Sequence, residues 1–137
     1  MDRSTGYWWS RDGSKIAFTE VDETHIPTYR IVHQGKDKTG VGAEEDHGYP
    51  FAGAENARIR LAVLDVGAAG KPLTPKKPRY LELSIENPDG SLETEDLYLA
   101  RVHWMPNGDL LAQIENREQS RLDLVRFDQN TGKSEVL

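Results

Sequence analysis

The fold is decided by the stretch Trp9-Ser10-Arg11-Asp12-Gly13-Ser14-Lys15-Ile16-Ala17-Phe18, which has the pattern of a strand end, a tight turn and a second strand. Gly13 supplies the positive φ that closes a type I turn into a bulged hairpin. Beyond the turn, Ile16 and Phe18 alternate with polar Lys15 and small Ala17, which is the period of a half-buried strand. The stretch therefore predicts a β-hairpin headed by Trp9.

The same pattern recurs at Trp104-Met105-Pro106-Asn107-Gly108-Asp109-Leu110. Pro106 occupies the second turn position, where its fixed φ fits, and Gly108 occupies the fourth. Repetition of one all-β unit indicates a blade or solenoid architecture. We therefore predict Trp9 and Trp104 as equivalent core positions, with Gly13 and Gly108 as structural turn glycines.

Strand-like segments group in fours, joined by polar turns, as in a β-propeller blade. They are 7–10, 15–21, 58–66 and 79–85, then 97–105, 109–116, 121–128 and 133–137. No window has a sustained helical period, so the predicted fold is all-β, with antiparallel four-stranded blades. Blade one should span about 6–85 with an inserted arm at 22–56, and blade two about 97–137. Two blades do not close a ring, so the expectation for 1–137 is a partial propeller cut from something larger.

Composition narrows the function classes. The net charge of −6 argues against nucleic acid or an anionic membrane as partner. The chain has no cysteine, which excludes disulfides, a thiolate nucleophile and a zinc ribbon. No apolar run approaches the ~20 residues of a membrane span, and the N-terminus lacks a signal-peptide apolar region. Composition does not assign a compartment.

The inserted arm has its own internal pattern. Tyr29 and Ile31 alternate with Arg30 and Val32, which predicts a strand with exposed apolar side chains. A glycine-rich tip at 35–42, an acidic loop at 44–48 and a turn run at 49–54 follow it. A two-stranded β-arm fits that order, and such an arm is only marginally stable without a partner. The alternative is a disordered surface loop.

Several runs in order resemble the N-terminal propeller of the dipeptidyl peptidase IV family of serine exopeptidases. The resemblance covers residues 6–137. It rests on the order of several matching runs, because each run alone is a weak motif. The matching runs are Gly6-Tyr7-Trp8-Trp9-Ser10 with Asp12-Gly13, Ile16 to Glu23, Tyr49-Pro50-Phe51-Ala52-Gly53-Ala54-Glu55-Asn56, Tyr98 to Trp104, and Arg117 to Val125.

The resemblance implies a role next to a catalytic domain. Members release Xaa-Pro or Xaa-Ala dipeptides from peptide N-termini, using Ser, Asp and His of a C-terminal α/β-hydrolase domain. A Glu pair upstream of the family's Tyr-Trp-Trp strand binds the substrate ammonium, and it has no counterpart before Tyr7 here. The family's propeller arm contributes to a homodimer interface, which implies a dimerisation arm at 26–49, with Tyr29, Ile31 and Val32 as its apolar contacts.

No residue of this sequence is predicted to be catalytic, cofactor-binding or metal-binding. There is no Gly-x-Ser-x-Gly nucleophile elbow, and Ser10, Ser14 and Ser120 lie at turns. Glu44-Glu45 follows a glycine-rich loop and is interpreted as part of a solvent-exposed acidic loop. The remaining candidates are given structural roles; they are His25, His33, His47 and His103, which lack a ligand spacing, and Arg101, Arg117 and Arg121, which suit ion pairs.

Two functional hypotheses remain open. The first is a non-catalytic propeller section of a serine dipeptidyl peptidase, which gates access of the peptide substrate and contributes to dimerisation. The second is a non-enzymatic β-propeller that only binds proteins or ligands. A nucleophile elbow downstream of Leu137 would favour the first hypothesis.

Overall fold

A computed structural model describes residues 6–33, 44–67, 76–128 and 130–137, and within them the protein is all-β without a helix. The strands are β1 Tyr7–Trp9, β2 Lys15–Asp22, β3 Thr28–Val32, β4 Glu44–Gly48, β5 Arg58–Asp65, β6 Arg79–Leu81, β7 Ile85–Glu86, β8 Leu92–Glu93, β9 Tyr98–Trp104, β10 Leu110–Glu115, β11 Leu122–Phe127 and β12 Ser134–Val136.

Two antiparallel four-stranded sheets form the body of the molecule. The first has the order β1-β2-β5-β6, and the second has the order β9-β10-β11-β12. Two short hairpins, β3-β4 and β7-β8, complete the described strands. The predicted fold class, antiparallel four-stranded blades of a β-propeller, is confirmed by this topology. The chain divides into two compact units, 22–58 and the remainder, which are described separately below.

A single apolar core lies in the larger unit and draws on both four-stranded sheets. Strand β10 shows the alternation most clearly, because Leu110, Ala112 and Ile114 are buried while the residues between them are half-buried. Leu61 and Val63 of β5 join Val125 and Phe127 of β11 in the same cluster. Such large, fully buried side chains supply most of the hydrophobic stabilisation, at about 1.5–3 kcal/mol each.

The predicted equivalence of Trp9 and Trp104 is wrong for Trp9. Trp104 is buried at 5% exposure, whereas Trp9 is 53% exposed and its neighbour Trp8 packs against the core instead. Trp8 lies opposite buried Ala17, and Trp9 lies opposite Ile16. The first hairpin therefore contributes Trp8, one position before Trp9, to the core.

The reason for this difference is the length of the two turns. The first turn is closed by a hydrogen bond from Ser10 N to Lys15 O (2.9 Å), and the second by one from Met105 N to Asp109 O (2.8 Å). The first turn is thus one residue longer, and a one-residue shift of register moves a strand's side chains to the opposite face. Gly13 and Gly108 keep their turn roles, with φ of +69° and +90°.

Polar contacts join the two four-stranded sheets at their edges. The indole Nε1–H of Trp104 donates to the carbonyl of Trp8 (3.0 Å), which ties β9 to β1. At the opposite edge, the amide of Glu82 donates to the carbonyl of Gly132 (3.3 Å). The buried carboxylate of Asp123 accepts from the amide of Glu86 (3.2 Å). These bonds satisfy polar groups that would be costly to bury alone.

Two further predictions from the sequence need correction. The segment 79–85 is not one strand, because β6 ends at Leu81 and Ile85 starts the separate β7-β8 hairpin. The acidic segment 44–48 is not a loop but strand β4, paired along its whole length with β3. Its negative charges are compatible with a strand because Arg30 lies opposite them.

Candidate functional site

Ser10, Ser14 and Ser120, the serines considered as nucleophiles, lie in turns, and their hydroxyls take part in hydrogen bonds there. In the first hairpin the Asp12 carboxylate accepts hydrogen bonds from the hydroxyls of Ser10 and Ser14, both at 2.7 Å. These bonds lower the pKa of Asp12 to about 2, and the bond from Ser10 has the largest effect. Ser120 likewise belongs to a turn, where its hydroxyl accepts from the Asn116 side chain (2.9 Å). A hydroxyl that donates to an ionised carboxylate within a turn orders the backbone, which is the role the sequence predicted for these residues.

Two of the three arginines predicted to form ion pairs, Arg117 and Arg121, have carboxylate partners, whereas Arg101 donates to the Ala100 carbonyl (2.8 Å). Arg121 makes two bonds to Asp123, from Nε (3.1 Å) and Nη2 (3.2 Å). Arg117 pairs with Asp96 at 3.2 Å. The Arg121–Asp123 pair is partly buried, and its carboxylate is further satisfied by a backbone amide. This arrangement fits a structural ion pair, since a buried charge needs both a counter-ion and hydrogen bonds.

The insertion, residues 22–58, folds as a compact unit built on the β3-β4 hairpin. One face of the hairpin carries charge: Arg30 lies opposite Asp46 and makes two hydrogen bonds to it, of 2.7 and 2.9 Å. Glu44 adds a second contact to Arg30 at 3.2 Å. Pairing with Arg30 lowers the pKa of Asp46, because the guanidinium favours the ionised carboxylate. This network holds an acidic strand in register.

The other face of the hairpin is aromatic and solvent-exposed. Tyr29 and Ile31 alternate along β3, and they are 51% and 40% exposed. Phe51 packs edge-on against both Tyr29 and Tyr49, with ring centroids 5.9 Å apart in each pair. Val32 is 59% exposed but lies on the charged face, opposite Glu44. The apolar patch of the insertion is therefore Tyr29, Ile31, Tyr49 and Phe51, of which the sequence predicted only the first two as contacts.

Three titratable side chains meet on the aromatic face of the hairpin. Glu45 lies between His33, at 2.9 Å, and His47, at 3.0 Å. The hydrogen bond with His47 and the nearby His33 imidazole lower the pKa of Glu45. Spacing along the sequence gave no sign of this grouping, because it depends on the pairing of β3 with β4. Among residues 6–33, 44–67, 76–128 and 130–137, no group of three or more His, Cys, Asp or Glu side chains could hold a metal ion.

The part of the chain that the structure describes contains no helix with the length and hydropathy that a membrane crossing requires. It brings no serine, histidine and carboxylate together at a nucleophile elbow. Two surface features of the described residues are candidates for function: the aromatic face of the insertion, and a groove where β1 meets β9.

Comparison with known proteins assigns the chain to a family. The model of the dipeptidyl peptidase IV (DPP IV) N-terminal region matches residues 1–137. The dipeptidyl-aminopeptidase B of Aspergillus niger is 28% identical over 139 residues, covering 95% of this chain and 14% of that protein. A protein assigned as dipeptidyl-aminopeptidase B in Coccidioides posadasii is 27% identical over 133 residues, covering 91% of this chain and 13% of that protein.

A solved structure supports the same assignment. A crystal structure assigned to a dipeptidyl aminopeptidase IV from Bacteroides ovatus superposes with a TM-score of 0.70 at 25% identity, covering 96% of this chain and 16% of that one. The chain spans about 13–14% of the length of the curated relatives it matches. Because the family model extends over every residue, the chain belongs to the dipeptidyl peptidase IV N-terminal region family.

Proposed function

We propose that this chain is a non-catalytic propeller section of a serine-type dipeptidyl peptidase that releases N-terminal Xaa-Pro or Xaa-Ala dipeptides. The observation that carries the proposal is the family match over residues 1–137, in a chain that spans only 13–14% of the relatives named above. In this proposal a C-terminal α/β-hydrolase domain supplies the nucleophile, the base and the oxyanion hole. The propeller section restricts the access of the peptide substrate and needs no cofactor.

The side chains of this chain support a scaffold role. Ser10 and Ser14 donate to Asp12, and Ser120 is bound within its turn. An acyl-transfer enzyme needs a serine within hydrogen-bond reach of a base that a third group orients. Ser10, Ser14 and Ser120 have structural partners instead, so the chemistry is assigned to the hydrolase domain.

We expect the 137-residue chain alone to leave Gly-Pro p-nitroanilide and Ala-Pro p-nitroanilide intact, because it lacks both a nucleophile elbow and the family's ammonium-binding Glu pair. The full-length protein should release p-nitroaniline from both, and a serine-directed phosphonate should abolish that release. The measurement is absorbance of free p-nitroaniline. Phosphonate-sensitive turnover by the chain alone would contradict the scaffold assignment, and inactivity of the full-length protein would favour a non-enzymatic binding propeller.

The insertion is proposed as the dimerisation arm of the full-length protein. Its exposed patch of Tyr29, Ile31, Tyr49 and Phe51 is rich in aromatic side chains, which are enriched at the centres of protein interfaces. A two-stranded hairpin is marginally stable alone and gains stability when an apolar patch such as this one is covered; Glu45, with His33 and His47, lies on the same face as the patch. The charged face, with Arg30 paired to Asp46, would remain at the solvated rim.

Replacing Tyr29 and Ile31 with Asp in the full-length protein should convert a dimer into a monomer, because each substitution buries an unpaired carboxylate in the interface. Light scattering measures the mass. Val32→Asp tests the opposite face of the same strand, and Leu122→Asp, at an exposed position outside the insertion, is the matched control. An unchanged dimer in the Tyr29/Ile31 variant would show that the arm is not the interface.

A further inference from the structure

A groove runs along the line where edge strand β1 meets edge strand β9. Its volume is about 420 Å³, within the range of small-molecule sites. It is lined by Trp8, Trp9, Arg11, Val102, His103, Trp104 and Pro106. Trp9, the half-exposed tryptophan that the core does not use, forms part of its wall. The hydrogen bond from Trp104 Nε1 to the Trp8 carbonyl joins two of the lining residues.

The walls of this groove offer ring faces and few hydrogen-bonding groups. The exposed ring is that of Trp9, because Trp104 is buried at 5% exposure and its indole N–H is already donated to Trp8. Pro106 adds a second rigid apolar ring. A ligand that fits such walls should itself be rigid, apolar and poor in N–H donors, because an unmatched polar group would lose its water without gaining a partner.

The permanent charge at the groove is the guanidinium of Arg11. His103 also lines the groove, and no carboxylate among the described residues does, although the chain as a whole carries −6. Across the described ranges, the side chains of Trp9, Arg11 and His103 form no hydrogen bond, ion pair or ring contact with another residue. The neighbouring Asp12 carboxylate accepts hydrogen bonds from Ser10 and Ser14 within the hairpin turn. An uncommitted guanidinium beside the exposed ring of Trp9 is typical of the residues that dominate binding at interfaces.

We propose that this groove binds a proline-containing peptide segment that carries an acidic residue. Proline rings pack flat against indole faces, lack the backbone N–H, and hold the segment in a preformed polyproline II conformation, so little entropy is lost on binding. A Glu or Asp side chain of the segment would accept hydrogen bonds from the guanidinium of Arg11, with His103 nearby. The binding needs no cleavage of the peptide and is independent of the proposed peptidase activity.

Three blocked peptides test the proposal with the 137-residue chain. They are acetyl-Pro-Pro-Glu-Pro-Pro-amide, the same peptide with Lys in place of Glu, and acetyl-Ala-Ala-Glu-Ala-Ala-amide. Titrations followed by tryptophan fluorescence, and by the amide shifts of Trp9 and His103 in NMR spectra, should give saturable binding of the first peptide. The other two should bind at least roughly tenfold more weakly. The acetyl cap removes the N-terminal ammonium, so a negative result leaves dipeptide release by the full-length protein unaffected.

Matched variants locate the binding. Trp9→Ala and Arg11→Glu should each weaken the first peptide at least roughly tenfold, and Trp9→Phe should retain most of the affinity because it keeps a ring face. Tyr7→Ala, at an exposed aromatic on the same strand, and Lys77→Glu, at an exposed lysine outside the groove, should leave it unchanged. Absence of saturable binding to the wild-type chain overturns the proposal. So does equal affinity for the alanine or lysine peptide, or unchanged affinity in Trp9→Ala with folding intact by circular dichroism.

Discussion

Trp104→Ala is expected to lower the free energy of unfolding by about 3–5 kcal/mol, the cost of removing a buried aromatic side chain. Trp104 is 5% exposed, packs in the shared core and donates its indole N–H to the carbonyl of Trp8. The substitution therefore leaves both a cavity and a carbonyl with one bond fewer. Trp9→Ala, at the position that the sequence repeat equates with Trp104, should cost no more than about 1 kcal/mol, since its side chain is half in solvent.

Urea denaturation of the two variants, with comparable m-values, measures the difference directly. Trp8→Ala adds an internal check, because Trp8 packs against the core beside Ala17 and should be costlier than Trp9→Ala. Equal costs for Trp9→Ala and Trp104→Ala would contradict the register of the first hairpin. In that case Trp9, and not Trp8, would face the core.

Trp9 and Trp104 also show how much of the fold could be predicted from the sequence alone. Alternation and turn chemistry predicted the hairpins, the all-β fold and the turn glycines, because these features depend on neighbours in the chain. They could not show which tryptophan enters the core. That choice follows from the extra residue in the Ser10–Lys15 turn, and the resulting register is a property of two paired strands.

The insertion shows the same limit at longer range. The pattern of Glu44 to Gly48 is that of a solvated acidic loop, and only its pairing with β3 makes it a strand. That pairing places Arg30 against Asp46, 16 residues away, and brings His33 to Glu45, whose other partner, His47, lies on the same strand. Pro50 and Gly53 correctly indicate a turn in the run that holds Tyr49 and Phe51, but turn chemistry does not show that Phe51 packs against Tyr29 and Tyr49. Local composition predicts which residues are exposed to solvent, but tertiary structure decides which strand or side chain each of them pairs with.

Gly132→Ala should be the second large loss of stability, about 2–4 kcal/mol. Gly132 has φ of +79° and is buried, and an added Cβ would lie 3.1 Å from the carbonyl oxygen of Tyr80. That oxygen belongs to β6, which is held in the first sheet by its pairing with β5, so it cannot move freely. Left-handed backbone costs a residue with a Cβ about 1–2 kcal/mol, and forced close packing adds about 1–3 kcal/mol.

Gly90→Ala provides the matched control, because Gly90 has φ of +83° with no atom within 4 Å of an added Cβ. It should cost only the conformational part, about 1–2 kcal/mol. The excess for Gly132→Ala in urea denaturation then measures the close approach of the Asp128–Lys133 turn to β6, where the amide of Glu82 also donates to the Gly132 carbonyl. Equal losses in the two variants would show that the second sheet does not approach the edge of the first as closely as 3.1 Å. A larger loss for Gly132→Ala would instead show that the two sheets approach each other closely at this edge, opposite the edge where the Trp104–Trp8 bond joins them.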